Sequence, residues 1–232
     1  MLIVDNVSKI VKKRKYVDGV SLQAKSPGIA GIVGPWGSGK STLLKIICGI
    51  EDGTGGTVVY NDQPLTSMKH KRPLFFFMPE EYRIYPDYRV SEYMDFINTI
   101  SGAGREELAA SLGIVDYISV MVEKLSASQL QHLKLYAALS NEREIIIIDE
   151  PFIGLDPSQI NNAVEIMSAE KAAGKTLLVA MQDLGNAVKL CDTLALMREG
   201  RILAQGTLAE LAEEHEVYDG NLEDIFIKAL AR

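Results

Sequence analysis

Apolar residues in this chain fall into short unbroken runs and amphipathic stretches, and their order predicts strands alternating with helices. Residues 2–4, 20–24 and 29–33 read as strands, the second with Val20, Leu22 and Ala24 alternating against Ser21 and Gln23. A helix-forming stretch follows at 42–47, then a turn cluster at 51–56, a strand at 57–60 and a turn at Asn61-Asp62. These early segments predict an antiparallel sheet. Residues 74–78 read as a buried strand stopped at Pro79. From 90 to 125 the period turns helical, with Tyr93, Phe96, Ile97 and Ile100 at helical spacing and a break at Gly102-Ala103-Gly104.

Residues 145–148 are an unbroken isoleucine run, the mark of a strand buried on both faces in a parallel sheet. Residues 176–181 repeat the pattern after a helix, so the fold class expected is α/β with a mostly parallel, doubly wound core sheet. Segments 193–197 and 201–205 flank Glu199-Gly200 as a hairpin. A tail at roughly 207–232 ends in a short helix whose apolar stripe is Leu222, Ile225, Phe226, Ala229 and Leu230. No repeat or linker divides the sequence, so residues 1–232 are read as one domain with a helical insert at roughly 83–127.

Composition narrows the function. A formal charge of −7 opposes general attraction to nucleic acid. The short basic runs at Lys12-Lys13-Arg14-Lys15 and Lys69-His70-Lys71-Arg72 are expected to be solvated loops. Cys48 and Cys191 form no C-x-x-C and sit among apolar residues, so buried reduced thiols and a reducing cytosol are expected. A charge at Asp5 comes too early for a signal peptide, and no stretch approaches the roughly 18 apolar residues of a membrane span. Any membrane association is therefore expected to run through a partner.

Between the strand at 29–33 and the helix beginning near Thr42 lies Gly34-Pro35-Trp36-Gly37-Ser38-Gly39-Lys40-Ser41, which spells G-x-x-x-x-G-K-[ST]. Glycines there let backbone N–H groups turn inward toward phosphate oxygens, and the following helix presents its positive end to the same charge. Lys40 is expected on the β- and γ-phosphates and Ser41 on Mg²⁺. The isoleucine strand ends in Asp149-Glu150, at the edge where ligands bind in such sheets. Asp149 is the expected second Mg²⁺ ligand, and Glu150 is placed to orient or deprotonate an attacking water.

With these residues in view, the whole chain resembles the ATP-binding subunits of ABC transporters, a type of phosphate-loop ATPase with an antiparallel β subdomain and a helical insert. Leu125-Ser126-Ala127-Ser128-Gln129 stands where that family has its LSGGQ signature, and Gly154-Leu155-Asp156 matches its D-loop. Ser126 and Gln129 also make a capping box, and Asp156-Pro157 reads as an N-cap followed by proline. The resemblance implies ATP and Mg²⁺ as cofactors and a head-to-tail dimer with a second ATPase subunit, identical or different. Ser126, Ser128 and Gln129 of one subunit would then close over ATP held by the other. It also implies an integral membrane permease as partner, and a cytoplasmic location at the inner face of the membrane. The ending Asn221-Leu222-Glu223-Asp224-Ile225-Phe226 resembles the short tail of the drug- and polysaccharide-exporter branch.

The sequence departs from the family pattern at four places. The signature glycines are Ala127 and Ser128, whose side chains hinder close backbone approach. Glu80 stands at the usual glutamine, able to ligate Mg²⁺ but adding negative charge. Gln182 stands at the switch histidine, able to donate one hydrogen bond to the γ-phosphate without becoming cationic. Val11 aligns with the adenine-stacking aromatic, leaving Tyr16 as the nearby ring. These departures also suit a nucleotide-gated regulatory subunit with little turnover. A chromosome or DNA-repair ATPase would need a long coiled-coil insert between Lys40 and Leu125, and a small-molecule kinase would leave the signature and D-loop segments unexplained. The face formed by residues 80–89, with Tyr82, Arg83, Tyr85, Tyr88 and Arg89, and by the helical insert is the surface expected to meet the permease.

Overall fold

The computed structural model describes residues 1–102 and 104–231. Ala103, in the middle of the expected glycine break, and Arg232 lie outside the described residues. Strands β1 (Leu2–Val11) and β2 (Arg14–Ala24) form an antiparallel hairpin turned on Lys12 and Lys13, both at positive φ (47° and 68°). A two-residue turn of that hand matches the twist of the strands and is normally built from Asn-Gly. The expected loop at 12–15 is thus a tight turn and the start of a strand.

Strand β3 (Gly28–Val33) is buried throughout and leads through the phosphate loop into α1 (Lys40–Cys48). Strands β4 (Gly55–Tyr60) and β5 (Gln63–Pro64) complete a four-stranded sheet of order β2-β1-β4-β5. The second basic run is not a loop either. It forms most of α2 (Met68–Lys71), and the Lys71 ammonium donates to the Ile46 carbonyl at 2.8 Å, complementing the negative end of α1.

Next come β6 (Phe75–Met78), then α3 (Val90–Ser101) and α4 (Glu106–Ser111) of the helical insert, then α5 (Ala127–Leu139). Helix α3 ends on Gly102 at φ 84°, the left-handed closure glycine permits. Its buried stripe is Val90, Tyr93, Met94 and Ile97, while Phe96 and Ile100 are 50% and 60% exposed. The helical period counted from Val90 sends those two outward.

The remaining elements are β7 (Ile145–Asp149), α6 (Pro157–Ala172), β8 (Thr176–Met181), α7 (Leu184–Leu190), β9 (Thr193–Arg198), β10 (Arg201–Gly206), α8 (Leu208–Glu214) and α9 (Leu222–Leu230). They complete a six-stranded sheet, β10-β9-β3-β8-β7-β6, parallel except for the expected β9–β10 hairpin. Residues 29–33 therefore leave the antiparallel sheet predicted for the first third and pair in parallel with β8 and β9. Their unbroken burial explains this, since a strand covered on both faces belongs in the middle of such a sheet. β6 is an edge strand, so Phe76 and Phe77 are only half-buried. In α9, Leu222, Ile225 and Ala229 pack into the main core. Both cysteines are free, and burial pushes both thiols up to about 12, out of reach of neutral-pH chemistry.

Glu170 of α6 ties the insert to the core. Its carboxylate pairs with Arg105, at the head of α4, and with Lys175 at 2.8 Å, and both cations also donate to the Leu139 carbonyl. Burial alone would raise the Glu170 carboxyl, but the bonds from Arg105 and Lys175 hold it below the usual carboxylate range. A depressed folded-state value means the stabilisation is complete above the ordinary carboxyl range and is lost as pH falls through the lowered value. Glu170→Gln is expected to lower unfolding free energy in urea by roughly 3 kcal/mol at neutral pH, because it leaves two cations facing a neutral amide. The deficit should shrink toward acid. Equal stability of the two proteins at neutral pH would contradict the assignment.

Candidate functional site

The carboxyl ends of β3, β7 and β8 converge on one crevice, and each delivers a different group to it. After β3 the chain turns so tightly that a Cβ on Gly34 would sit 2.0 Å from the Met197 carbonyl oxygen, and one on Gly39 would sit 2.3 Å from that of Tyr16. Only glycine fits either position. The loop is pinned from outside by Gly200 N–H donating to the Ser38 carbonyl at 2.8 Å. Gly39, at φ 105°, precedes α1 and gives it no side-chain cap. The first N–H groups of α1 therefore face the crevice rather than a capping oxygen, which is what an anion requires. Lys40 is 6% exposed, and its ammonium donates to the carbonyls of Gly34 (2.7 Å) and Pro35 (3.0 Å). Burial lowers its pKa, while Glu150, Asp149 and Glu80 favour its charged form.

Strand β7 supplies the acids. Asp149 is 3% exposed; burial raises its carboxyl, opposed by a hydrogen bond from Ser41 and by the charges of Lys40 and Lys45. Glu150 follows in the left-handed region at φ 52°, a strained backbone held by its N–H donating to the Ala180 carbonyl at 2.8 Å. Strain of this kind is stored at functional sites. Burial raises the Glu150 carboxyl too, while Gln182, after β8, donates its Nε2 to Glu150 Oε1 at 3.2 Å and favours the ionised form. The sequence put Gln182 on the γ-phosphate; its bond in the structure is to the neighbouring carboxylate.

A cavity of about 300 Å³ gathers Tyr16, Trp36 through Thr42, Glu80, Glu150 and Gln182. Gly34, Pro35 and Asp149 are not among its lining residues: the first two accept from Lys40 through their carbonyls, and Asp149 is buried. Val11 does not line it. Arg14, expected from the sequence only as part of a solvated basic loop, does, with its guanidinium 4.9 Å over the Tyr16 ring. Ser126, Ser128 and Gln129 are not among the residues lining this cavity. They form the N-terminus of α5, where Ser126 accepts from the Gln129 N–H and the Ser126 and Ser128 hydroxyls lie 3.2 Å apart. A separate groove beside Ala127 runs between α5, residues 80–83 and Ile153-Gly154.

Sequence reasoning also missed Gln131 and Lys134. Gln131 is 2% exposed and donates to the carbonyls of Glu150 and Pro151 (3.3 and 2.7 Å), joining the signature helix to the turn that carries the acids. The available signal was a polar side chain on a helix buried nearly all round. Of the segment at 82–89, Tyr82 bonds to the Tyr93 hydroxyl and Arg89 to the Ser119 carbonyl, so these two serve the fold. Arg83 and Tyr85 are largely exposed, and Tyr88 is 37% exposed.

Among the described residues no group of three or more His, Cys, Asp or Glu gathers as a metal cluster. Mg²⁺ does not need one, since it takes one or two carboxylates with substrate phosphates and water. The donor set fits. Ser41 and Asp149 are hard oxygen donors, and Asp149 Oδ1 is buried without a hydrogen-bond partner.

A family model described as "ABC transporter" matches residues 17–153. An uncharacterized ABC transporter ATP-binding protein, YhaQ of Bacillus subtilis (strain 168), is 29% identical over 218 residues, covering 91% of this chain and 72% of the relative. The ABC-type transporter ATP-binding protein EcsA of the same organism is 27% identical, covering 98% and 96%. The fold matches that of an ATP binding subunit of an ABC transporter, with a TM-score of 0.88 at 24% identity over 99% of both chains. It also matches the ATP-binding cassette MJ0796, solved as a post-hydrolysis dimer with ADP and Pi, with a TM-score of 0.76 at 22% identity over 89% of this chain and 98% of that one. Matched over more than half its length, and carrying the phosphate loop and the acids at the sheet's edge, the chain belongs to the ABC transporter family, as its ATP-binding, ATP-hydrolysing subunit.

Proposed function

We propose that this chain works as one half of a head-to-tail pair of ATPase subunits, and that closure of the pair on Mg²⁺-ATP drives a separate membrane-embedded permease. The observation that carries the reading is the separation of its own parts. Ser126 caps α5 and Ser128 lies in its first turn, outside the cavity that holds Lys40 and Glu150. A helix N-terminus bearing two hydroxyls suits a γ-phosphate, and a second subunit brings such an end to the cavity. No described helix is long and apolar enough to cross a membrane, and we assign that role to a separate permease. Exposed Arg83, Tyr85 and Tyr88 supply the side-chain types that protein interfaces favour, and we assign them to the permease contact, on the cytoplasmic side of the membrane.

In this reading the phosphate loop and Lys40 hold the triphosphate, with charge-assisted bonds replacing those Lys40 makes to Gly34 and Pro35. Tyr16, backed by Arg14, offers a face to the base. Ser41 and Asp149 would hold Mg²⁺, with Glu80 beside them; when bound, the ion neutralises charge on the transferring phosphoryl group. Glu150 accepts the proton of the attacking water, and the Gln182 amide keeps that carboxylate ionised and aimed.

Two sets of variants test this. Lys40→Ala is expected to abolish ATP binding measured by calorimetry, whereas Glu150→Gln should bind ATP, stop turnover and accumulate a dimer visible by light scattering. A Glu150→Gln protein that hydrolyses normally would remove Glu150 from the catalytic step, whereas a wild type that binds ATP and dimerises without turnover would favour a nucleotide-gated assembly subunit.

The second set addresses Gln182. Loss of a hydrogen bond to a charged group is worth about 1.5–3 kcal/mol, so Gln182→Ala should lower kcat roughly 10- to 100-fold if the bond matters in the transition state. KM should change little. An unchanged kcat in steady-state assays would show that Glu150 is held by other means.

A further inference from the structure

Lys134 lies in the middle of α5 and is 8% exposed. Its ammonium donates to the Glu80 carbonyl at 3.2 Å. Lysine is rarely buried without a partner of opposite charge, because taking an ammonium out of water is costly. Glu80 is such a partner, acting through space from the same groove, and it favours the charged form of Lys134 against burial.

Glu80 has a second environment. It also lines the nucleotide cavity, where it adds to the negative charge of Asp149 and Glu150 around Lys40. A triphosphate entering that cavity meets the carboxylates of Glu80 and Glu150, with Asp149 acting on Lys40 from outside the lining, and the cations Lys40 and Arg14. Lys134, bonded to the Glu80 carbonyl and lining the neighbouring groove with it, brings a further cation. Neutralising Glu80 and Lys134 together would leave the local charge unchanged; neutralising either alone would shift it by one unit.

We propose that Lys134 is a positioning residue for nucleotide binding. It offsets the carboxylate of Glu80 and tethers the segment after β6 to the signature helix, so that the cavity accepts a triphosphate despite the extra acid. The inference rests on the ATP-binding reading. It predicts that the charges at positions 80 and 134 act on the nucleotide with opposite sign: losing the ammonium weakens binding, losing the carboxylate tightens it, and losing both returns the affinity to near that of the wild type.

The test is a double-mutant cycle read by calorimetric ATP affinity, in EDTA and again with Mg²⁺, on wild type, Lys134→Met, Glu80→Gln and the double variant. Lys134→Met is expected to weaken ATP binding in EDTA on the order of tenfold, the scale of one unit charge acting at an effective dielectric of about 20. Lys134→Arg should retain affinity. Glu80→Gln alone should tighten binding severalfold, and adding Glu80→Gln to Lys134→Met should recover affinity to within about threefold of wild type. Unchanged affinity in Lys134→Met, or a loss that persists in the double variant, would overturn the pairing. Should Lys134→Met fail to fold, Glu80→Gln decides the matter: no tightening in EDTA rejects the proposal. A wild type that binds no ATP defeats the functional reading itself, a result distinct from an absent charge effect.

Discussion

The site turns on one buried ammonium held where backbone comes closest to backbone. Lys40 can reach inward because Gly34 and Gly39 let the loop press against the carbonyls of Met197 and Tyr16, closer than any side chain allows. Three carboxylates then sit within its influence at the edge of the sheet. Each would be costly to bury alone. Together with Lys40 they make an environment in which Asp149 and Glu150 are both raised by burial yet restrained by specific donors, Ser41 for one and Gln182 for the other. The order of strands in the parallel sheet matters because it brings the ends of β3, β7 and β8 side by side.

Much of this was legible in the sequence, for a physical reason: phosphate loops and fully buried strands impose strict local chemistry. The glycine spacing, the isoleucine run and the acids after it each follow from what a short stretch of chain must do. What the sequence hid depends on tertiary approach or on phase. Lys12 and Lys13 occupy a turn normally reserved for Asn-Gly, so the long hairpin left no turn signal. The helical spacing of Tyr93, Phe96, Ile97 and Ile100 does not say which face is buried, and only packing turns Phe96 and Ile100 outward. Residues 29–33 read as strand, but their place in the parallel sheet depends on neighbours far away in sequence.

The residues missed at the site share a cause. Arg14, Gln131 and Lys134 act through partners reached only in the folded chain: the Tyr16 ring, the carbonyls after β7, and the segment after β6. Gln131 and Lys134 sit on α5, the helix whose N-terminus carries Ser126 and Ser128. One rigid element thus touches both the acids and Glu80 from behind while presenting its free end outward. A shift of α5 relative to the sheet would be felt at both, a route by which events at the insert and at the cavity affect each other.

The central claim is that the site is composite, with the phosphate loop of one subunit completed by α5 of another. Mixing two disabled proteins tests it most directly: Lys40→Ala, with a crippled loop and an intact α5 terminus, and Ser128→Arg, with the reverse. A heterodimer of the two contains one intact pairing of loop and helix end. The account predicts negligible ATP hydrolysis by either protein alone and measurable hydrolysis on mixing. A Ser128→Arg protein that hydrolyses ATP normally by itself, or a mixture that stays silent although heterodimers form, would contradict it.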